Sequence, residues 1–301
     1  MSNIIDIPSV DRDERIGSAF NHLFSVINQT ENCTEDIVKW DFNNNLFFHP
    51  FFLAPLALYK RKCEKKVECI NKSKLIDSYF KSVCFDNMLC IDNNTDLEGA
   101  LNGYMEKSYI PICCFDLCSS NVDALQTIIQ NIIERQSNAD SKIKTPLSYF
   151  LGELICNIEQ HSKSPVGYIF SQYLRREKCI EMCIADSGIT VYGSYLDKNM
   201  YLDEIDNDEA IALKKANEGY STKELPSAEN RGYGIISSKN MLVDGLKGSF
   251  FMFSGGAFHR HDNSESVFIK LPKNISWSGT IILMRIPVNV DKDFDYTKYI
   301  Q

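Results

Sequence analysis

The apolar and polar positions fall into stretches that alternate between helical and extended spacing. RIGSAFNHLFSVINQ carries apolar residues at helical intervals and predicts an amphipathic helix. IVKWDF reads as a strand, NNN as a turn and LFFHP as a second strand, while the residues before about Asp13 read as a tail or an edge strand. FFLAPLALYKRKCEKK predicts a helix whose apolar start and basic end suit the helix dipole. From Asp77 to Asn102 the pattern is short and irregular, and YIPICCFDL closes the region as a buried strand. A first domain, residues 1–115, is therefore expected to precede a second, residues 116–301.

The second part opens with NVDALQTIIQNIIERQSN, a helix with one apolar face, followed by a helix that Pro146 starts. PVGYIFSQYLRREKCIEMCIADSG alternates as two antiparallel strands around a charged turn at Arg175 to Lys178. Val191 to Asn230 is polar and acidic, and reads as a long lid-like excursion. GSFFMFSGGAF, SVFIKL and TIILMRIPV then read as strands of one sheet. Helices on one face of a largely antiparallel sheet make the fold class α+β.

A length of 301 residues allows one large domain or two modest ones, each with a real core. A net charge of -8 argues against a nucleic-acid binder, whose affinity rests on basic surface. The apolar run LFFHPFFLAPLALY is too short to span a bilayer, and no basic start followed by an apolar run marks a secretory leader, so a cytoplasmic protein that does not enter membranes is expected. Of the eleven cysteines most sit in apolar strands or helices (Cys113, Cys114, Cys156, Cys179, Cys183) and none form a CxxC pair, so buried free thiols are the simpler reading for these. His259 and His261 could clip a metal, although a solvated turn is the simpler reading.

Three stretches carry chemistry. In FLGELICNIEQHSKS, Glu153, Asn157 and His161 stand four residues apart and share one helix face, with Leu151, Leu154, Ile155 and Ile158 on the complementary stripe. Asn157 can offer an amide oxygen to a hard cation, Glu153 can orient or deprotonate an attacking hydroxyl, and His161 can reach a phosphate or cap packing. In IADSGIT, Asp186 ends an apolar strand where its carboxylate can accept from the exocyclic amine of adenine, and Gly188 lets backbone approach the ring. In STKELPSAENRGYGIISSKNM, Gly232 and Gly234 open a helix whose amides can hold an anion, with Thr222, Lys223 and Arg231 beside them as a polyphosphate would need. No Walker A sequence occurs, and the glycines do not follow a strand as a Rossmann fingerprint requires.

Over roughly residues 116 to 290 these motifs, in this order, resemble the GHKL ATPase superfamily of gyrase, the large heat-shock chaperone, histidine kinases and MutL. ELICNIEQH resembles its N box, which implies Glu153 as general base, Asn157 as magnesium ligand and His161 as a supporting residue beside phosphate. ADSG resembles its first glycine box and implies Asp186 as adenine reader. STK followed by RGYGI resembles the lid and second glycine box of kinase-like members, placing Lys223, Arg231, Gly232 and Gly234 near the phosphates. Gly279-Thr280 resembles the closing Gly-Thr, with Thr280 beside adenine. Thr190 stands where many members carry a second glycine, and Ile236 replaces a third glycine later; both bear on lid closure and turnover more than on nucleotide binding.

The resemblance implies a Bergerat α/β sandwich, with helices on one face of a mixed sheet, preceded by a smaller α/β module. It also implies ATP and magnesium as ligands and a regulatory ATPase acting on a protein partner, either another protein or a second copy of the chain. Its rivals are a serine/threonine protein kinase of the anti-sigma kind and a non-catalytic nucleotide-gated scaffold. The helix over residues 121–137 holds no histidine, so it is no phospho-acceptor helix of a sensor kinase. Residues 1–115 resemble a STAS domain in their strand, loop and helix, but the loop reads Phe48-His49-Pro50-Phe51-Phe52 and lacks the family's phospho-accepting hydroxyl. An unrelated small α/β packing domain is the alternative.

Overall fold

The computed structural model describes residues 3–10, 16–43, 48–222, 233–273 and 275–300. The chain divides into two compact units, Met1–Leu89 and Cys90–Gln301. In the first, strands β1 (Ile4–Asp6), β2 (Ile37–Asp41) and β3 (Lys66–Ile70) form a parallel sheet in that order. Helices α1 (Ile16–Glu31), α2 (Pro50–Lys62) and α3 (Lys74–Ser82) follow each strand in turn, and α1 packs on α2. Alternation in β2 sends Val38 and Trp40 into the core, where the Trp40 indole donates to Thr30 Oγ1 at 3.0 Å.

The second strand expected at LFFHP does not form at its described residues. Phe48 is buried, and His49 caps α2 by accepting from the Phe51 amide at 3.2 Å. Pro50 explains the difference: it lacks an N–H for a sheet ladder and suits the first position of a helix. Leu46 and Phe47 lie outside the described residues.

The boundary expected near residue 115 falls between Leu89 and Cys90 instead. Strands β4 (Leu89–Ile91) and β5 (Cys113–Asp116) join the large sheet of the second unit, and hydrogen bonding to it decides where they belong. That sheet has eight strands in the order β10-β9-β8-β11-β7-β6-β5-β4. Here β6 is Val166–Leu174, β7 Cys179–Asp186, β8 Ser249–Gly255, β9 Ala257–His261, β10 Ser266–Lys270 and β11 Trp277–Pro287. Every pairing from β5 to β10 is antiparallel.

Helix α4 (Leu97–Leu101) lies between β4 and β5 in sequence, and α5 (Val122–Ser137) and α6 (Lys144–His161) pack on each other and on β7. The polar excursion after β7 folds into α7 (Val191–Lys198), α8 (Leu202–Ile205) and α9 (Glu209–Asn217). Those helices enclose a small core of Tyr195, Ile205 and Ala212. Its apolar residues are spread among charges, which hides the helical period from a composition reading. Helix α9 rests on β9 and β10, and the Glu209 carboxylate accepts from the Gly256 amide at 2.7 Å. Helix α10 (Tyr233–Asn240) packs on α6 and runs into a π-helical turn, Met241–Gly245. With ten α-helices among the described residues and these sheets, the chain is α+β.

Candidate functional site

The apolar stripe of α6 is buried as its period requires: Leu151, Leu154, Ile155 and Ile158 all lie in the core. Two of these residues, Leu154 and Ile158, also line a cavity that opens to solvent. Its wall includes Asn157 and His161 of α6, Asp186 of β7, Gly234 of α10, Thr280 of β11, and Thr222 in the chain that leaves α9. Glu153 and Gly188 are not on its wall. Lys223, Arg231 and Gly232 lie outside the described residues.

One end of the cavity is built by backbone. Asp186 is 2% exposed, its Oδ1 accepting from the Gly188 amide at 2.8 Å and its Oδ2 from the Thr280 amide at 3.1 Å. These two donors engage both oxygens of a group that offers roughly four lone-pair positions. A register shift in β11 between Trp277 and Thr280 brings the Thr280 amide into place, with Gly279 at φ +84°. A Cβ on Gly279 would come within 2.5 Å of the Asp186 carbonyl oxygen. Only glycine combines that φ with that approach.

Gly188 serves a different purpose from the one expected. A Cβ there would fall 1.9 Å from the Ser162 carbonyl oxygen, and the Ile189 amide donates to the same oxygen at 2.7 Å. The glycine thus lets the end of β7 close onto the end of α6.

Two residues here are not singled out as ligands by the motifs. Ser254 Oγ donates to the Gly279 carbonyl at 2.8 Å, lies 3.2 Å from Thr280 Oγ1 and accepts from the Val191 amide at 2.9 Å. A hydroxyl directly after the apolar run Phe250–Phe253 is the available signal. Thr190, at the position of an absent glycine, caps α7 by accepting from the Gly193 amide at 2.9 Å.

The other end is built by side chains of α6 and α7 and of the chain leaving α9. His161 Nδ1 hydrogen-bonds Thr222 Oγ1 at 2.9 Å, and Thr222 Oγ1 in turn meets Ser194 Oγ at 2.9 Å. His161 therefore ties α6 to α7 and to the chain leaving α9. The Asn157 side-chain nitrogen is buried and has no hydrogen-bond partner among the described residues. Rotating that amide by 180° puts its oxygen in the same place.

Glu153 lies against α10, so close that a Cβ on Gly234 would meet Glu153 Oε2 at 2.0 Å. Burial, with the Glu153 charge adding to it, raises the Tyr149 phenol one turn before. Further along α10, Lys239 is 7% exposed and donates to the Asn217 carbonyl at 3.0 Å; burial pushes its ammonium down to about 8.

No family model, curated protein or solved structure matches this chain. What the site can do therefore rests on its donors and acceptors: a carboxylate held by backbone, an unpaired amide nitrogen, and a second carboxylate behind the wall. Among the described residues no group of three or more His, Cys, Asp or Glu could hold a metal. A divalent cation here would draw most of its ligands from phosphate and water, the habit of magnesium. His259 and His261 form no solvated turn. His259 is fully buried and stacks on Phe268 with ring centroids 3.9 Å apart, because β9 and β10 pair in a register that sets the two rings side by side. No helix of the described residues is long and apolar enough to cross a membrane.

Proposed function

We propose that the chain is an ATP-binding regulatory protein, with a GHKL-type site in a Bergerat-like second unit, and that it hydrolyses magnesium-ATP to change its contacts with a protein partner. The observation that carries this reading is convergence: the ELICN, ADSG, STK, GYG and Gly-Thr segments, far apart in sequence, bring Asn157, Asp186, Thr222, Gly234 and Thr280 to one cavity. Asp186 would accept from the exocyclic amine of adenine while its backbone partners hold it oriented. Asn157 would hold magnesium through its amide oxygen, and the unpaired buried nitrogen found there suits a side chain lacking its partner. Magnesium, when bound, neutralises charge on the phosphate oxygens. Glu153 would take the proton of an attacking water on its carboxylate.

The place of Glu153 behind the wall favours a second reading, a nucleotide-gated scaffold that binds without turnover. The kinase reading transfers phosphate to a protein. Calorimetric titration with ATP, with and without magnesium, tests the shared premise. Label from γ-labelled ATP then appears as free phosphate for the ATPase, on a protein for the kinase, and on neither for the scaffold. Absence of any nucleotide binding overturns all three. The first unit keeps its reading as a STAS-like or unrelated α/β regulatory module, and the cytoplasm remains the proposed compartment.

A further inference from the structure

Gly234 lies in the first turn of α10, and its backbone does not call for glycine: its φ is not among the positive values. Glycine is also among the poorest residues for a helix. The space beside it is instead taken by the end of the Glu153 side chain. A Cβ at this position would lie 2.0 Å from Glu153 Oε2 and 3.0 Å from Glu153 Cδ, while Asn157 Nδ2 would be at an ordinary 3.7 Å. Gly234 lines the cavity, and Glu153, which does not, packs against it from α6. The first turn of a helix also favours a negative charge.

We infer that Gly234 is a positioning residue: it is the seat of the Glu153 carboxylate, and through it α10 sets where the proposed base stands. The rest of α10 extends the link to the excursion after β7. Lys239 donates to the Asn217 carbonyl at 3.0 Å, and a Cβ on Gly219 would meet Ile236 Cδ1 at 2.9 Å. A displacement of the end of α9 is therefore felt by α10, and a displacement of α10 unseats Glu153. The catalytic half of this inference rests on the ATPase reading, but the contact itself does not.

Two measurements on the full chain separate them. The first is a thermal-unfolding cycle of Gly234→Ala, Glu153→Ala and the double variant. Gly234→Ala should shift the midpoint less favourably when Glu153 is present than when it is absent, because the carboxylate must then move aside. In the Glu153→Ala background, where the added methyl only improves the helix, it should leave the midpoint unchanged or raise it. Equal effects in both backgrounds would overturn the seat whether or not ATP binds.

The second is steady-state phosphate release. Gly234→Ala should lower kcat by at least about tenfold with KM within about threefold, since the base is displaced rather than the nucleotide. Adding Glu153→Asp, whose carboxylate is one methylene shorter, should recover part of the loss. A Gly234→Ala variant with wild-type kcat, or a loss that Glu153→Asp leaves in place, would overturn the positioning role. A wild type that binds no ATP refutes the functional reading instead, and the unfolding cycle still decides the seat.

Discussion

The two ends of the cavity are made of different material. Around Asp186 the partners are backbone amides of Gly188 and Thr280, and two glycines press against the carbonyl oxygens of Ser162 and of Asp186 itself. These contacts join the end of β7 to β11 and to the end of α6. Around Glu153 and His161 the partners are side chains and a helix: Gly234 of α10, Thr222 and then Ser194. The sheet end is built of backbone, and the helix end of side chains that can be re-set.

The largest break in that comparison should come from Glu153→Gln. Under the ATPase reading it removes the base and leaves the sheet end untouched, so turnover should fall by about two to four orders of magnitude with nucleotide affinity retained. Phosphate release and calorimetry on the same sample test both halves. Full turnover in the variant removes Glu153 as base.

The large sheet, away from the cavity, has a limit of its own in acid. Burial pushes the fully buried His259 imidazole down to about 4, with the nearby Lys239 and His261 acting in the same direction and a hydrogen bond to the Val267 carbonyl against them. A pKa lower in the folded than in the unfolded chain means the unfolded chain binds the proton first. The stabilising effect of a neutral His259 is therefore complete above about pH 6.5 and lost as the pH falls toward 4. Its size is about 2–3 kcal/mol. Urea unfolding at pH 7 and pH 4.5 should show wild type losing more stability than His259→Phe by about that amount; equal losses would rule the histidine out as the source.

Much of the second unit can be read from its sequence, because long elements repeat one signal many times. Strands β6 and β7 and helix α6 have enough residues for alternation or helical spacing to stand out. Strand β3 does not: KVECI follows the basic end of α2, and all its residues except the exposed Lys66 are only half-buried, so no alternation develops. Strand β4 has three residues, too few for a period, and without it the pattern along the chain places the boundary too late. The motif residues are legible because their chemistry is local to short segments. Their roles are less so, since Gly188 answers to Ser162, Gly234 to Glu153 and His161 to Thr222, and no spacing along the chain announces a partner on another element.

Asp186→Asn sharpens the comparison from the sheet end. Both carboxylate oxygens accept a backbone N–H, and an amide has only one oxygen, so one donor would face the –NH2 group. Stability and proposed ATP affinity should fall together, each by about 1–3 kcal/mol, a loss of roughly ten- to a hundredfold in binding. Unfolding and titration at one temperature check the pairing of the two losses. A variant with unchanged ATP affinity would remove Asp186 as the adenine reader.

Asn157→Ala should give the smallest effect, and one of opposite kind. The wild-type amide nitrogen is buried without a partner among the described residues, an arrangement that costs stability in the absence of a ligand. Alanine removes the unsatisfied group and is the better helix former at an interior position of α6. The ligand-free protein should therefore keep its stability or gain up to about 1 kcal/mol. Under the magnesium reading the same change deletes a cation ligand, so ATP affinity in magnesium should fall toward the value measured in chelator while the chelator value stays put. Divergence of the two readouts, stability level or higher and magnesium-dependent affinity lower, marks a residue kept for a ligand at the expense of the fold. A stability loss like that of Asp186→Asn, with magnesium dependence intact, would mean that Asn157 is structural and that the helix end is as fixed as the sheet end.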